Sequence, residues 1–262
     1  MTSDGVCRSR CPLMPVTDPI SLLIIFLALA LGGALKGATG AGAPVIAVPV
    51  MAAFFDVRLA VMIMAAPNLV TNIWQSRAYW SHLKDRSFAI RFALSGAAGV
   101  APGTLVLATM PVRALTLLVA VAVIAYIGLR LIQPEFRLNA ERARRLAIPM
   151  GTLGGILQGA GGISAPVSES FLNAMRLERP VFIATIAIFF ISMSVAQVPA
   201  LFAMGLMTPG LLTLSFLALV PLLLFMPVGA WAAQWLSPRD FDRMTLILLS
   251  LLALRLLYAV FS

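Results

Sequence analysis

The residue best placed to do chemistry in this sequence is Lys36, a cation inside a run of apolar residues and glycines. It begins the segment Lys-Gly-Ala-Thr-Gly-Ala-Gly-Ala-Pro-Val at residues 36–45. A lysine in apolar surroundings costs free energy unless it is paired, solvated or functional. We therefore interpret Lys36 as a residue that lends positive charge to an anionic ligand. The alternative is a lysine that extends its ammonium to an aqueous interface.

The glycine-rich segment that follows Lys36 occurs twice. Residues 37–45 and 159–167 are identical at six of nine positions. Glycine lets the backbone leave a helix, and Pro44 and Pro166 suit the first turn of the next one. Each resuming helix would direct its N–H groups and positive dipole end at the break, and two such ends would form an anion site. The residues assigned to it are Lys36, Gly37, Thr39, Gly40, Gly42, Gly159, Gly161, Gly162 and Ser164.

The same glycines admit a purely structural interpretation. Gly33 and Gly37 are spaced as in close helix–helix contacts, and so are Gly151, Gly155 and Gly159. Small residues at that spacing let two backbones approach each other. Both interpretations stay open at this point.

Uncharged polar residues follow each glycine segment. Asn68, Thr71, Asn72 and Gln75 recur at spacings near three and four, and Ser192, Ser194 and Gln197 lie in the corresponding region of the second half. These side chains could bond a solute or hold helices together. We add Asn68, Asn72, Gln75, Ser194 and Gln197 to the predicted substrate site.

Glu169 comes shortly after the second glycine segment. It could pair with Lys36 or take up a proton during transport, and we treat it as a candidate coupling residue. A solvated position at the membrane interface is the alternative.

The composition places the chain in a bilayer, since 61% of its residues are hydrophobic and 11% are charged. The runs 115–129 and 211–225 are apolar on every face, which fits helices and not the alternating strands of a membrane barrel. We predict an all-α, polytopic membrane protein. The formal charge of +9 lies in short loops, where it sets topology, so we expect no nucleic-acid partner.

The sequence offers few residues that could catalyse a reaction or hold a cofactor. The one histidine, His82, lies in a charged loop, and Cys7 and Cys11 are interpreted as free thiols. Two cysteines cannot supply a four-ligand zinc site. We expect neither an enzyme nor a cofactor.

The chain divides into a flexible tail at 1–17, a first membrane repeat at 18–132, a basic cytoplasmic linker at 133–146 and a second repeat at 147–262. Each repeat is expected to open with two short helical arms around its glycine segment, at 20–35 and 44–55 and at 147–157 and 165–175. Arms of 16 and 12 residues in the first half would be too short to cross a bilayer. Full spans are predicted at 59–80, 92–108, 114–132, 181–204, 211–236 and 241–261.

The orientation of the two repeats depends on the glycine segments. If each is one broken crossing, the halves are parallel; if each is a re-entrant hairpin, the halves are inverted. The inverted arrangement leaves fewer basic residues outside, namely Arg8, Arg10, Arg58 and Arg113. The positive-inside rule therefore favours inversion.

The segment Thr39 to Pro49, with Asp56 and Glu178 after the two glycine segments and Thr71-Asn72 in the next helix, resembles the sulfite exporter TauE/SafE family, also called toluene sulfonate uptake permeases. The resemblance covers residues 20–261. It implies a bacterial cytoplasmic-membrane permease for sulfur-containing anions such as sulfite or sulfonates. Two stretches depart from the family pattern: Ala43-Pro44 stands where glycines are usual, and 168–171 replaces an aliphatic run.

These observations together predict a secondary transporter in the lipid bilayer that moves a small anion, which we expect to be a sulfur oxyanion or organosulfonate. The chain has no nucleotide-binding Walker sequence. The alternatives are a proton-coupled carrier or channel for a neutral solute and a membrane scaffold without transport. A homo-oligomer is left open.

Overall fold

The structure is a computed structural model that describes residues 18–132, 137–235 and 238–261. These residues form helices and no strand, which confirms the all-helical prediction. The predicted tail at 1–17, with Cys7 and Cys11, lies outside the described residues. So do residues 133–136 of the predicted linker.

Eleven helices and one short 3-10 turn follow one another in the described residues. In the first half they are α1 (Pro19–Thr39), α2 (Ala43–Phe54), α3 (Val57–Tyr79), the 3-10 turn (Trp80–His82), α4 (Arg86–Thr109) and α5 (Val112–Ile132). In the second half they are α6 (Ala140–Gly161), α7 (Ala165–Ala174), α8 (Arg179–Ala203), α9 (Pro209–Leu217), α10 (Leu219–Trp235) and α11 (Pro238–Phe261).

Seven segments of the described chain are long and apolar enough to cross a membrane. They are α1, α3 with the 3-10 turn, α4, α5, α8, α9 with α10, and the part of α11 from residue 243. The protein is therefore a multi-pass membrane protein. The short helix α2 and the charged helix α6 are not among the seven.

The helix before each glycine segment is longer than the sequence predicted. α1 has 21 residues, about 31 Å, and continues through Gly33 and Gly37 to Thr39. The expectation of an arm too short to cross, ending at residue 35, is wrong. α6 begins at Ala140, inside the segment predicted as linker, and continues to Gly161.

Tight helix packing explains why these glycines stay helical. A Cβ on Gly33 or Gly37 would overlap the carbonyl oxygens of Leu222 and Met226 in α10. Between α6 and α4, a Cβ on Gly155 would overlap the carbonyl oxygen of Gly96. Close backbone contacts of this kind favour the helical conformation despite the low helix propensity of glycine.

Charged residues at the helix ends define two sides of the molecule. On the linker side, Lys84 pairs with Glu178 and Arg144 pairs with Asp85, both at 2.9 Å. On the opposite side, Arg58 at the start of α3 donates to backbone carbonyls at and just after the end of α4. The start of α6 thus lies on the linker side.

The chain reverses direction between α1 and α2 and again between α6 and α7. A Cβ on Gly32 would lie 3.1 Å from Cβ of Ala47, and one on Gly154 would lie 3.8 Å from Cβ of Ser168. In a continuous helix, residues fourteen or fifteen positions apart would be separated by about 21–22 Å. Each short helix therefore folds back along the longer helix before it.

Candidate functional site

The two most buried spans carry the polar side chains that the sequence singled out. α3 holds Asn68, Asn72 and Gln75, and α8 holds Ser194 and Gln197; all five are buried. α3 and α8 pack against each other, and Asn68 Nδ2 donates to Ser194 Oγ at 3.2 Å. This hydrogen bond joins the two halves of the chain inside the helix bundle.

Lys36 lies at the end of this polar cluster. Its side chain is fully enclosed, with 1% of the residue exposed, and Nζ donates to Asn72 Oδ1 at 2.8 Å. Asn72 Nδ2 in turn donates to Asn68, to the carbonyl at 2.6 Å and to Oδ1 at 2.9 Å. A continuous chain of hydrogen bonds therefore runs from Lys36 through Asn72 and Asn68 to Ser194.

This chain of hydrogen bonds holds the positive charge of Lys36 beside uncharged groups. The hydrogen-bond partner described for the ammonium is an amide, and the ring of Phe190 lies 6.0 Å from Nζ. An ammonium carries three donors, so Lys36 has donors beyond the one that Asn72 accepts. The arrangement can bind an anion by charge and by hydrogen bonds.

Two glutamine side chains donate hydrogen bonds to backbone carbonyls near the ends of α1 and α6, the helices that precede the short helices α2 and α7. Gln75 Nε2 donates to the carbonyl of Gly40 at 2.9 Å, and Gln197 Nε2 donates to the carbonyl of Gln158 at 3.1 Å. The buried oxygens Oε1 of Gln75 and Gln158 have no hydrogen-bond partner in the described structure. Gln75 thus fixes the end of α1, and Oε1 of Gln75 and Oε1 of Gln158 remain available as acceptors.

The first turn, residues 40–42, depends on its glycines. Gly40 has φ 86° and Gly42 has φ 89°, backbone conformations that L side chains rarely adopt. Thr39 Oγ1 lies 2.6 Å from the carbonyl of Ala41 and 2.9 Å from that of Leu35, so this hydroxyl supports the end of α1. A Cβ on Gly42 would lie 3.5 Å from Oε1 of Glu169.

The second turn, residues 162–164, lies among apolar side chains. Gly162, with φ 71°, approaches Val48 and Val61, and Gly161 approaches Leu118 and Val119. Ser164 accepts a hydrogen bond from Ser168 Oγ at its carbonyl, at 3.0 Å. The second-half residues beside the first turn include Ile183 and Glu169, and not the second glycine turn, so the two glycine turns do not form the paired site that the sequence suggested.

Gly37 and Gly159 lie within helices rather than in a turn. A Cβ on Gly37 would overlap the carbonyl oxygen of Met226, and one on Gly159 would lie 2.5 Å from that of Val100. Close packing between helices therefore accounts for glycine at both positions.

Glu169 is buried, with 6% of the residue exposed. Its Oε2 accepts a hydrogen bond from Tyr126 at 3.3 Å, and its Oε1 has no described partner. Glu169 is therefore not at a solvated interface, and the hydrogen bond of Lys36 goes to Asn72 rather than to Glu169.

Sequence reasoning did not find Tyr126. The available signal was a single phenol in the otherwise apolar stretch 117–129 of α5. A buried tyrosine hydroxyl usually has a hydrogen-bond partner, so its presence in a membrane span pointed to a polar neighbour.

Residues 25–256 match the family described as sulfite exporter TauE/SafE, which is nearly the whole chain. The chain belongs to the sulfite exporter TauE/SafE family. Searches of curated proteins and of solved structures gave no match. Like other members, this TauE/SafE protein is a membrane permease and not an enzyme.

Proposed function

We propose that this TauE/SafE protein is a secondary transporter that moves a small anion, a sulfur oxyanion or organosulfonate, across the bacterial cytoplasmic membrane. Lys36 is the residue that supplies the binding charge. The family match supports sulfur-containing anions as the substrate class. The position of Lys36 among buried neutral groups supports an anion in particular.

The observation that carries this proposal is the enclosure of Lys36. Moving a charged side chain out of water costs several kcal/mol unless other groups compensate. Asn72 compensates with one neutral hydrogen bond, at 2.8 Å. A bound anion would bring a negative charge next to the ammonium and so compensate for its burial further.

Around Lys36, the polar residues of α3 and α8 serve as uncharged ligands. The hydroxyl of Ser194 accepts from Asn68 and can donate its own hydrogen to an oxyanion. Asn72 positions the ammonium. Gln75 and Gln197 hold the ends of α1 and α6, next to the turns that each short helix follows.

The two halves are proposed to be inverted repeats. Three observations support this: α2 and α7 both fold back on the preceding helix, α6 starts on the linker side, and Asn68 and Ser194 meet where α3 crosses α8. α1 packs on α10 of the second half, and α6 packs on α4 of the first half. Movement of one repeat against the other would expose Lys36 to alternate sides.

Glu169 remains our candidate for coupling transport to protons. A buried carboxylate inside a membrane protein is a common element of proton relays. Its position beside Gly42 of the first glycine turn, which follows Lys36 in the chain, supports this role.

Flux into proteoliposomes tests the function. Wild type and Lys36→Gln would be compared with sulfite, thiosulfate, an alkyl sulfonate, a carboxylate and a neutral solute. Glutamine suits this test because Gln158 holds the matching position in the second half. We expect Lys36→Gln to reduce anion flux by about tenfold or more, since a charged hydrogen bond contributes about 1.5–3 kcal/mol.

The matched control is Lys84→Gln, which removes an exposed lysine paired with Glu178. We expect it to transport anions like wild type. Anion flux in Lys36→Gln equal to that of wild type would show that Lys36 does not supply the binding charge. Flux of the neutral solute alone would favour the neutral-solute carrier, and no flux of any solute would favour the scaffold.

A further inference from the structure

Helix α3, which carries Asn68 and Asn72, contains a proline at residue 67. Proline has no N–H, so Pro67 cannot donate to the carbonyl of Ile63 one helical turn earlier, and its ring crowds that same carbonyl. Ile63 is fully buried, so bulk solvent does not reach the carbonyl. A buried carbonyl without a donor costs free energy. α3 therefore needs a hydrogen-bond donor from another helix, directly before the polar site.

Ser215 of α9 supplies that donor. Its Oγ donates to the carbonyl of Ile63 at 3.0 Å and accepts from the N–H of Ala66 at 2.9 Å. The structure describes every residue of α9, and Ser215 is the one among them that is buried. Its hydroxyl thus replaces the N–H that Pro67 lacks and also accepts from the residue before the proline.

The helix that supplies the serine belongs to the second half of the chain, and 149 positions separate Ala66 from Ser215. In the second half, Phe189 stands where the first half has Pro67, at the offset of 122 that relates 37–45 to 159–167. α8 therefore has no proline at the matching point. The arrangement is specific to α3, the helix that provides the hydrogen-bond acceptor for Lys36.

The polar site begins directly after the proline. Asn68 is the next residue, and Thr71 Oγ1 donates to the carbonyl of Pro67 at 2.6 Å. Asn72 lies about 7.5 Å along the helix axis from Pro67, so a change of about 10° in the direction of α3 there would move it by about 1.3 Å. A shift of that size decides whether a hydrogen bond forms. The path of α3 after Pro67 therefore controls the contact between Asn72 and Lys36.

We propose that Ser215 is a positioning residue of the anion site. A side chain inserted into the hydrogen-bond ladder of a helix bends that helix, as a proline does. The hydroxyl of Ser215 fixes the bend of α3 at Pro67 and so brings Asn72 to the ammonium of Lys36. Ser215 acts through α3, and its effect on transport rests on the proposed function.

Thermal midpoints of the full-length protein in detergent test the role of Ser215 at the proline. We expect Ser215→Ala to lower the midpoint by several degrees, because the Ile63 carbonyl loses its donor. Ser215→Thr keeps the hydroxyl and should lie closer to wild type. In Pro67→Ala, residue 67 regains an N–H for this carbonyl, so adding Ser215→Ala should cost clearly fewer degrees. Equal losses in both backgrounds would overturn this role.

The matched control is Thr213→Ala. Thr213 lies in the same helix, but its hydroxyl is exposed and donates to the carbonyl of Pro209 within α9. We expect its midpoint to equal that of wild type. If Ser215→Ala alone does not fold, its recovery in the Pro67→Ala background decides the same question.

A second pair of variants tests the link to the site without any substrate. Ala66, which bonds Ser215, lies about 9 Å along the helix from Asn72, and substitutions that far apart are additive when each acts locally. Positioning predicts instead that Ser215→Ala costs fewer degrees in Asn72→Leu than in wild type, because the hydrogen bond to Lys36 is already lost there. Additive midpoints would overturn positioning.

Sulfite flux into proteoliposomes measures the consequence for transport. We expect Ser215→Ala to raise the half-saturating sulfite concentration about tenfold, since a misplaced binding group loses much of its effect, and to change the maximal rate less. Ser215→Thr should lie closer to wild type, and Thr213→Ala should equal it.

The outcomes separate this inference from the proposed function. An unchanged half-saturating concentration in Ser215→Ala would overturn the role of Ser215 in transport, even if the loss in Lys36→Gln stands. Wild type that moves no sulfite would contradict sulfite as the substrate, whereas the two sets of thermal midpoints would still decide whether Ser215 positions α3.

Discussion

Lys36 in α1 and Asn72 in α3 are joined by a hydrogen bond of 2.8 Å, and neither side chain has appreciable contact with solvent. Thirty-six residues of sequence separate the two. Asn72 is at once the acceptor for the ammonium and a donor to Asn68. The position of the one buried lysine described here therefore depends on a neutral amide of another helix.

Replacing Asn72 with leucine should destabilise the protein by about 1.5–3 kcal/mol, because the buried ammonium loses its hydrogen-bond acceptor. We expect anion flux to fall as well. Thermal unfolding in detergent and proteoliposome flux measure the two effects. In Lys36→Met combined with Asn72→Leu, the destabilisation should be smaller than the sum of the single effects. Simple additivity would mean that the two side chains do not interact in the folded protein.

Replacing Gly37 with alanine should lower the thermal midpoint by several degrees, since its Cβ would overlap the carbonyl oxygen of Met226. Overpacking of this kind typically costs about 1–3 kcal/mol. Gly128→Ala is the control, because a Cβ there meets nothing within 4 Å and alanine favours the helix. Equal midpoints for the two variants would argue against close contact between α1 and α10.

Cysteine labelling in intact cells tests the inverted arrangement. With Cys7 and Cys11 replaced by serine, Thr208→Cys lies on the side opposite the linker and Lys84→Cys lies on the linker side. We expect a membrane-impermeant maleimide to label Thr208→Cys in intact cells and Lys84→Cys only after lysis. Labelling of Thr208→Cys solely after lysis would contradict the inverted topology.

Asp85 should make the stability of the protein depend on pH in acid. The backbone N–H of Phe88 and, after it, the guanidinium of Arg144 hold the pKa of this carboxyl below its ordinary value, although partial burial opposes them. A carboxyl whose pKa is lower in the folded state adds stability above its unfolded pKa, about 3.9, and this is lost as the pH falls through the folded value.

The measurement is the thermal midpoint of wild type and Asp85→Asn between pH 7 and pH 3. Wild type should be the more stable at pH 7, and the difference should shrink towards pH 3. The side chain of Asp85 is 37% exposed, so the expected difference is small. A difference that stays constant over this range would show that the ion pair and cap do not respond to the charge of Asp85.

Local sequence features predicted most of the helices. Long apolar runs gave the spans α3, α4, α5 and α8, and the glycine-proline pattern gave the start of α2 at Ala43 and of α7 at Ala165. α1 and α6 continue beyond their predicted ends at residues 35 and 157, through glycines that pack closely against another helix. The start of α6 at Ala140 was also missed, because it lies in the charged segment predicted as linker.

Sequence patterns named the candidate residues of the site but not all of their contacts. Lys36, Asn68, Asn72 and Ser194 were all candidates, and the structure connects them. The expectation that the two glycine turns would face each other was wrong, since Gly162 contacts Val48 and Val61. A duplicated sequence shows that two elements are alike, but it does not show which parts of them meet.

The sequence by itself determined that this chain is a membrane protein of apolar helices, a TauE/SafE protein by its motifs, with turns where glycine is required. These properties follow from composition and local spacing, and the positive φ of Gly40, Gly42 and Gly162 explains the turns. Only the tertiary structure decided that Lys36 meets Asn72 and that Glu169 lies beside Gly42. Those contacts depend on how helices cross, and the crossing is set by packing between residues far apart in the chain.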